Sequence, residues 1–293
     1  MGFKAGFVNI IGKPNVGKST LMNVMVGEKL SIITPKAQTT RKRILGIVST
    51  DDCQIVFSDT PGIIDSPQYK LHNWMNDQVT TALTDSDILI LMTDPYDKLD
   101  EQHHIITQVK TLTTPIIIVV NKIDTLNKIK LDAYIEKWKT ILPEKEIITI
   151  SALEKTNTDT LYQRIVELLP EHPAYFDKDE ITDQSERFIV AEIIREKIFL
   201  NYQEEIPYNV EVNVEEYKDK GNIIAIRAVI YVGRDTHKSI IIGKGGAAIK
   251  QTGIDARLDI EAFTGNKVFL ELFVKVKENW KNEDRTLKYF GYN

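Results

Sequence analysis

The chain has 293 residues, 42% hydrophobic and 27% charged, a globular composition with room for two domains. Its 37 Lys and Arg against 42 Asp and Glu give a formal charge of −5, so no global basic excess points to nucleic acid and any such site must be local. No run approaches the roughly 20 apolar residues of a membrane span, and the single cysteine, Cys53, excludes an intramolecular disulfide and a cysteine-based zinc site.

The N-terminal segment enters a strand pattern directly, without the apolar core and cleavage site of a secretory signal, which predicts a cytoplasmic protein. From residue 1 to 170, short apolar runs alternate with amphipathic stretches, the rhythm of βαβ units around a mainly parallel sheet in an α/β fold. Residues 5–11, 54–58, 88–93, 116–121 and 147–151 read as buried strands, with Cys53 a packed thiol beside the second. Residues 19–26, 100–112, 131–141 and 158–169 read as helices. Pro170 and Pro173 stop the last of these, and 171–184 reads as a linker.

Beyond it, Phe188, Ile189, Ile193, Ile194 and Ile198 have helical spacing over 185–202, with Ser185 as N-cap. Alternating runs at 209–216 and 222–232 flank a Lys218-Asp219-Lys220-Gly221 turn. A short helix, a glycine-rich break at 243–246, a longer helix to about 264 and a strand at 267–276 complete an αββααβ order. Residues 185–293 therefore read as a separate α+β domain, with Phe263 and Phe269 as core residues.

Gly12, Lys13, Pro14, Asn15, Val16, Gly17, Lys18 and Ser19 match GxxxxGK[ST] between a strand and a helix, with Thr20 beginning the next turn. Successive backbone N–H groups of such a loop wrap phosphates, and the helix N-terminus adds partial positive charge. Lys18 is placed for the β- and γ-phosphates, and the Ser19 hydroxyl for Mg²⁺. Asp59-Thr60-Pro61-Gly62 follows an apolar strand, where Asp59 can hold Mg²⁺ through water and the Gly62 N–H can meet the γ-phosphate.

Asn121-Lys122-Ile123-Asp124 ends another strand. A buried Asp124 carboxylate accepts both the N1–H and the 2-amino group of guanine, donors that adenine lacks, which makes the site guanine-specific. Ser151-Ala152-Leu153 falls where a backbone N–H meets the guanine O6. In the second domain, Gly243-Lys244-Gly245-Gly246 is a GxxG loop between helices, a form that lets a nucleic-acid backbone approach the main chain. Residues 181–293 carry 17 Lys and Arg against 18 Asp and Glu, yet between 227 and 250 Arg227, Arg234, Lys238, Lys244 and Lys250 face Asp235 alone. Ile240, Ile241, Ile242 and Ile249 should mostly pack the core, with one or two lining a base groove.

The first 170 residues resemble the translation-factor-like branch of small GTPases, and the GxxG unit resembles a type II KH domain. Together, Gln38-Thr39-Thr40-Arg41, Asp59-Thr60-Pro61-Gly62-Ile63 and Gly243-Lys244-Gly245-Gly246 resemble the Era family of bacterial GTPases over essentially the whole chain. The resemblance implies a switch I over 34–43, whose Thr40 or Thr39 closes on Mg²⁺ and the γ-phosphate. It also implies a monomeric GTP/GDP switch that binds near the 3′ end of 16S rRNA during maturation of the small ribosomal subunit, with no DNA partner and with room for a peripheral contact to the inner membrane. Ile63 stands where Ras-like enzymes carry a water-orienting Gln. Asn15 in related phosphate loops helps place K⁺, so Lys18, Thr40, Gly62 and Asn15 are the catalytic candidates, unless Asn15 is a turn residue. A second class of function also fits Ile63: a regulatory GTP binder with negligible hydrolysis, acting through membrane or protein contacts.

Overall fold

A computed structural model describes residues 2–97 and 101–292. The chain divides into two compact units. One is drawn from residues up to Ser31, from Thr40 to Ser66 and from Trp74 to Asp183; the other comprises Ile32–Thr39, Pro67–Asn73 and Gln184 onward.

The first unit is built on a six-stranded sheet of β1 (Lys4–Ile11), β2 (Ile44–Ser49), β3 (Cys53–Asp59), β4 (Ile88–Thr93), β5 (Ile116–Val120) and β6 (Glu146–Thr149). The spatial order is β2-β3-β1-β4-β5-β6. Only the β2–β3 pair is antiparallel, and in register Lys4 lies beside Cys53 and Ile10 beside Asp59. β3, β4 and β5 are buried along their whole length, which is why they read as unbroken apolar runs. The helices are α1 (Lys18–Val26), α2 (Lys70–Thr84), α3 (His104–Thr111), α4 (Lys128–Ile141) and α5 (Thr158–Leu168). One core gathers Val79 and Leu83 of α2, Ile105 and Val109 of α3 and Trp138 of α4 on Leu89, Leu91, Ile118 and Val120. The expected start of α3 at Asp100 lies outside the described residues.

Two elements of this unit lie outside the sequence expectation. β2 carries Gly46 in mid-run, where a Cβ would stand 2.6 Å from Val26 Cγ2, so α1 packs directly on the strand backbone. α2 spaces Leu71, Met75, Val79 and Leu83 for burial but fills the gaps with Asn, His and Thr, weak helix formers that mask the pattern. Residues 171–183 run along β2 and β3. Gln54 accepts from the N–H groups of Tyr175 (2.7 Å) and Phe176 (3.0 Å), and Ile47 N–H donates to the Ile181 carbonyl at 2.9 Å.

The second unit comprises α6 (Glu186–Asn201), β7 (Val210–Asp219), β8 (Ile223–Val232), α7 (Asp235–Ile242), α8 (Ala247–Thr264), β9 (Lys267–Val276) and a terminal α9 (Asp284–Tyr289) beyond the expected αββααβ. Its sheet runs β7-β8-β9, antiparallel then parallel. α6 packs on β7 and α8, and α7 and α8 on β9. Phe269 is not a core residue: Val268 is buried on the helix side, and the two-residue period of the strand turns Phe269 outward, 55% exposed. Phe263, at 36%, is also exposed rather than core. Among the described residues no helix is long and apolar enough to cross a membrane.

An ion pair on α6 is enclosed in this unit. Arg195, 1% exposed, donates through Nε to Glu192 at 2.8 Å, while Tyr292 donates to Glu211 at 2.8 Å. Burial opposes the guanidinium charge, but Glu192 and then Glu211 override it and hold Arg195 protonated. Arg195→Ala strands Glu192 in a dry core and should cost about 3–5 kcal/mol. A urea titration followed by circular dichroism should show the loss, and the double variant Glu192→Leu/Arg195→Met should recover most of it.

Candidate nucleotide site and RNA groove

Because β1, β3, β4 and β5 are parallel, the loops after them emerge at one edge of the sheet. The phosphate loop follows β1. Lys18 is buried there and donates to the carbonyls of Gly12 (3.2 Å) and Lys13 (2.9 Å). Burial pushes its ammonium down to about 8, against the opposing pull of Asp59 and Asp97. Asn15 has a φ of 65°, a left-handed conformation that Asn tolerates, and its carbonyl accepts from Lys122 Nζ at 2.7 Å. Thr20 lies half-buried on α1.

Three side chains from separate segments meet at the end of β3. Ser19 Oγ donates to Asp59 Oδ2 at 2.6 Å and lies 2.9 Å from Thr40 Oγ1, which is itself 3.3 Å from Asp59 Oδ2. Asp59 Oδ1 is buried without a hydrogen-bond partner, and burial raises the carboxyl pKa against the pull of Lys18. Thr39 is not in this group; its hydroxyl pairs with Thr34 (2.6 Å) and the Lys36 carbonyl (2.7 Å). Gly62 follows, so close to the phosphate loop that a Cβ would lie 2.7 Å from Pro14 Cγ. Ile63 is buried in the core and presents no polar group.

On the other side of the loop, the Asn121 amide holds three segments together. Its Nδ2 donates to the Val16 carbonyl at 2.8 Å, and its Oδ1 accepts from the Ala152 N–H at 2.9 Å. Lys122 Nζ pairs with Asp94 Oδ2 at 2.6 Å. Ser151 is buried and its hydroxyl accepts from the Glu154 N–H at 3.2 Å, whereas the Leu153 side chain points to the surface. Asp124, expected to be buried, is exposed, because it lies on a single turn at the rim of the loops rather than beneath them.

In the second unit, Gly243-Lys244-Gly245-Gly246 turns the chain from α7 into α8, and nothing lies within 4 Å of where a Cβ of Gly245 or Gly246 would be. Beside it, Ile249, Lys250, Gly253, Ile254 and Arg257 of α8 and Leu270 and Leu272 of β9 line a groove of about 280 Å³. Its floor is apolar and its cations are Lys250 and Arg257. Sequence reading missed Arg257, although Lys250, Ile254 and Arg257 share one helical face. Lys244 and Lys250 are exposed and Lys238 is half-buried on α7. Arg234 is not at the groove: it caps the far end of the eight-residue α7, about 12 Å away by helix rise, and lines a different cavity with Glu205, His237 and Trp280. Of the isoleucines, Ile241 is buried and Ile240 is exposed.

A family model described as 50S ribosome-binding GTPase matches residues 7–122, and one for the KH domain matches 205–281. The fold and the phosphate loop thus define a P-loop GTPase that carries a C-terminal KH domain. GTPase Era of Alkaliphilus metalliredigens (strain QYMF) is 46% identical over 295 residues, spanning all of both chains, and GTPase Era of Thermoanaerobacter sp. (strain X514) is 45% identical over all of this chain and 97% of its own. The chain belongs to the Era family of GTPases. Two solved structures align over 99% of both chains at 39% identity. One is Era in complex with MgGDPNP and nucleotides 1506–1542 of 16S ribosomal RNA, at a TM-score of 0.93; the other is a variant of Aquifex aeolicus Era bound to GDP.AlF4⁻, at 0.94.

Gly17, with φ 106°, leaves no room for a side chain: a Cβ would sit 2.3 Å from Asn121 Nδ2. Gly17→Ala should displace the Asn121 amide, lower the thermal midpoint by several degrees and weaken GDP binding by about 10-fold or more, as calorimetry would show.

Proposed function

We propose that this protein binds GTP with Mg²⁺, hydrolyses it, and uses the nucleotide state to control a KH groove that holds single-stranded RNA from the 3′ region of 16S rRNA during small-subunit maturation. The observation that carries the reading is the path of the chain through residues 32–40. Thr40 meets Ser19 and Asp59, while the segment just before it packs within the KH unit. There Lys36 Nζ donates to the Phe199 carbonyl at 2.5 Å and to the Tyr202 carbonyl, capping the C-terminal end of α6. The Tyr202 hydroxyl in turn donates to the Ile241 carbonyl at 2.8 Å and accepts from Thr252 at 3.1 Å, two residues ahead of the GxxG loop and on the helix after it.

The residues fit Mg²⁺: the Ser19 and Thr40 hydroxyls converge on Asp59, whose second oxygen is buried and unpartnered. When bound, the ion neutralises charge between the β- and γ-phosphates. Lys18 holds those phosphates, the Gly62 N–H faces the γ-phosphate, and Asp124, at the rim, is covered by the guanine it selects. Asn121 keeps the base loops at a fixed distance from the phosphate loop. Lys244, Lys250 and Arg257 neutralise RNA phosphates while Ile249, Ile254, Leu270 and Leu272 receive bases.

Filter binding of a 16S rRNA 3′-terminal oligomer tests the reading. The GTP-loaded and GDP-loaded protein should differ in affinity, and by reciprocity the RNA should change GTP affinity by the same factor. Gly245→Asp should abolish RNA binding, since it adds a negative charge and a side chain at a φ of 59°. Lys36→Met should keep RNA binding but shrink the difference between nucleotide states to less than half. Equal affinities for both states in the unmodified chain would sink the coupling.

With Ile63 unable to orient water, Asn15 is assigned to a K⁺ ion that supplies positive charge as it is needed in the transition state. Turnover should be several-fold faster in K⁺ than in Na⁺, and Asn15→Ala should remove the difference; identical rates in the two salts would remove Asn15 from the catalytic set.

A further inference from the structure

Hydrolysis here cannot depend on the side chain after Gly62, because Ile63 is aliphatic and packed into the core. What the backbone of this segment presents must therefore be set by its surroundings, and residues 63–65 are each held by a separate partner. The Ile63 N–H donates to the Gly12 carbonyl at 3.2 Å. Both backbone groups of Ile64 are taken by one side chain on α2: Asn76 Oδ1 accepts from its N–H at 3.0 Å and Asn76 Nδ2 donates to its carbonyl at 2.9 Å. Asp65 is shared by two partners, Lys13 of the phosphate loop through Oδ2 and His103 Nε2 through Oδ1 at 2.9 Å. His103 caps α3, its Nδ1 accepting from the Ile105 N–H at 3.3 Å. With Nδ1 taken by that bond, Nε2 is the ring nitrogen left to face Asp65.

The strap is thus tied to the phosphate loop at both ends and to α2 in the middle. An ion pair as exposed as Asp65 with Lys13 contributes little to folding, since solvent screens it. Its geometric effect is larger, because beside the Ile64 anchor it gives the strap a second fixed point, on the phosphate loop. We propose that Asn76 and Asp65 are positioning residues for GTP hydrolysis: by pinning residues 63–65 they hold the Gly62 N–H where negative charge develops on the γ-phosphate. Each acts through the backbone of residues 63–65, Asn76 on Ile64 and Asp65 through Lys13 and His103. Both act on the transition state for GTP and are indifferent to GDP, which has no phosphate at that place.

The inference rests on Gly62 as the γ-phosphate donor, so Gly62→Ala is the control. Single-turnover hydrolysis at saturating GTP and Mg²⁺ should be read beside calorimetric affinities for GDP and GDPNP and the thermal midpoint. Asn76→Ala should slow the saturated rate by about 10-fold or more, and Asp65→Asn by several-fold, with GDP affinity within about twofold of the parent. Asp65→Glu should regain most of the rate. Should Gly62→Ala hydrolyse normally, the reading of Gly62 itself fails. Should Gly62→Ala be inactive while Asn76→Ala and Asp65→Asn keep the parental rate, the positioning roles are overturned. Parallel losses of GDP and GDPNP affinity with a lowered thermal midpoint would also overturn them, by reducing both residues to structural ones; Asp65→Asn, at an exposed position, gives that answer if Asn76→Ala does not fold.

Discussion

Much of the nucleotide site depends on one buried amide. Asn121, at the end of β5, donates to the phosphate loop and accepts from the loop after β6, so one side chain ties together the parts that would meet phosphate and base. A backbone carbonyl and an N–H are satisfied by the same side chain in a dry place, and leaving either unpaired costs more than the bond itself contributes. Gly17 is a consequence: the amide occupies the space that any Cβ there would need. The parallel order of the sheet brings these loops to one edge, and Asn121 sets the distance between them.

In the second unit charge is a local property: residues 184–293 carry 17 Lys and Arg against 17 Asp and Glu, so no net positive charge marks them. Its cations are local, with Lys244 at the turn and Lys250 and Arg257 on one face of α8, while the groove floor between them is aliphatic. Carboxylates are kept elsewhere: Asp255 accepts from Asn201 at 2.9 Å and Asp259 pairs with Lys197 at 2.5 Å, both toward α6. Charge is thus sorted by helix face, which an overall count cannot register. The phenylalanines that could stack bases, Phe269 and Phe273, lie on the outer face of the sheet instead, with Arg227 5.7 Å from the Phe273 ring centre.

The sequence announced the phosphate loop, the guanine loop, the GxxG turn and the central strands, because each is local: a run of residues whose spacing carries its own reason. Pairs distant in the chain were beyond it. Thr39 and Thr40 are adjacent and chemically identical, and only the course of the backbone sends one to Ser19 and the other to Thr34. Asn76 gives no signal in a helix of polar residues, yet it meets both backbone groups of Ile64. Arg257 lies beyond the basic cluster of 227–250, and only its seven-residue spacing to Lys250 on α8 marks it in the sequence. Asp124 is exposed where the sequence predicts burial, because a single turn at the rim of the loops carries it.

Residues 32–39 precede Thr40 in the chain, yet by their contacts they belong to the unit that begins at Gln184. Ile33 N–H donates to Glu196 at 3.1 Å, and Lys36 caps α6. Cutting the chain near residue 184 would therefore part residues 32–39 from the helix they pack on, while Ser19, Asp59 and Thr40 stay on one fragment. A boundary drawn there from the order of the sequence is not a boundary of contacts.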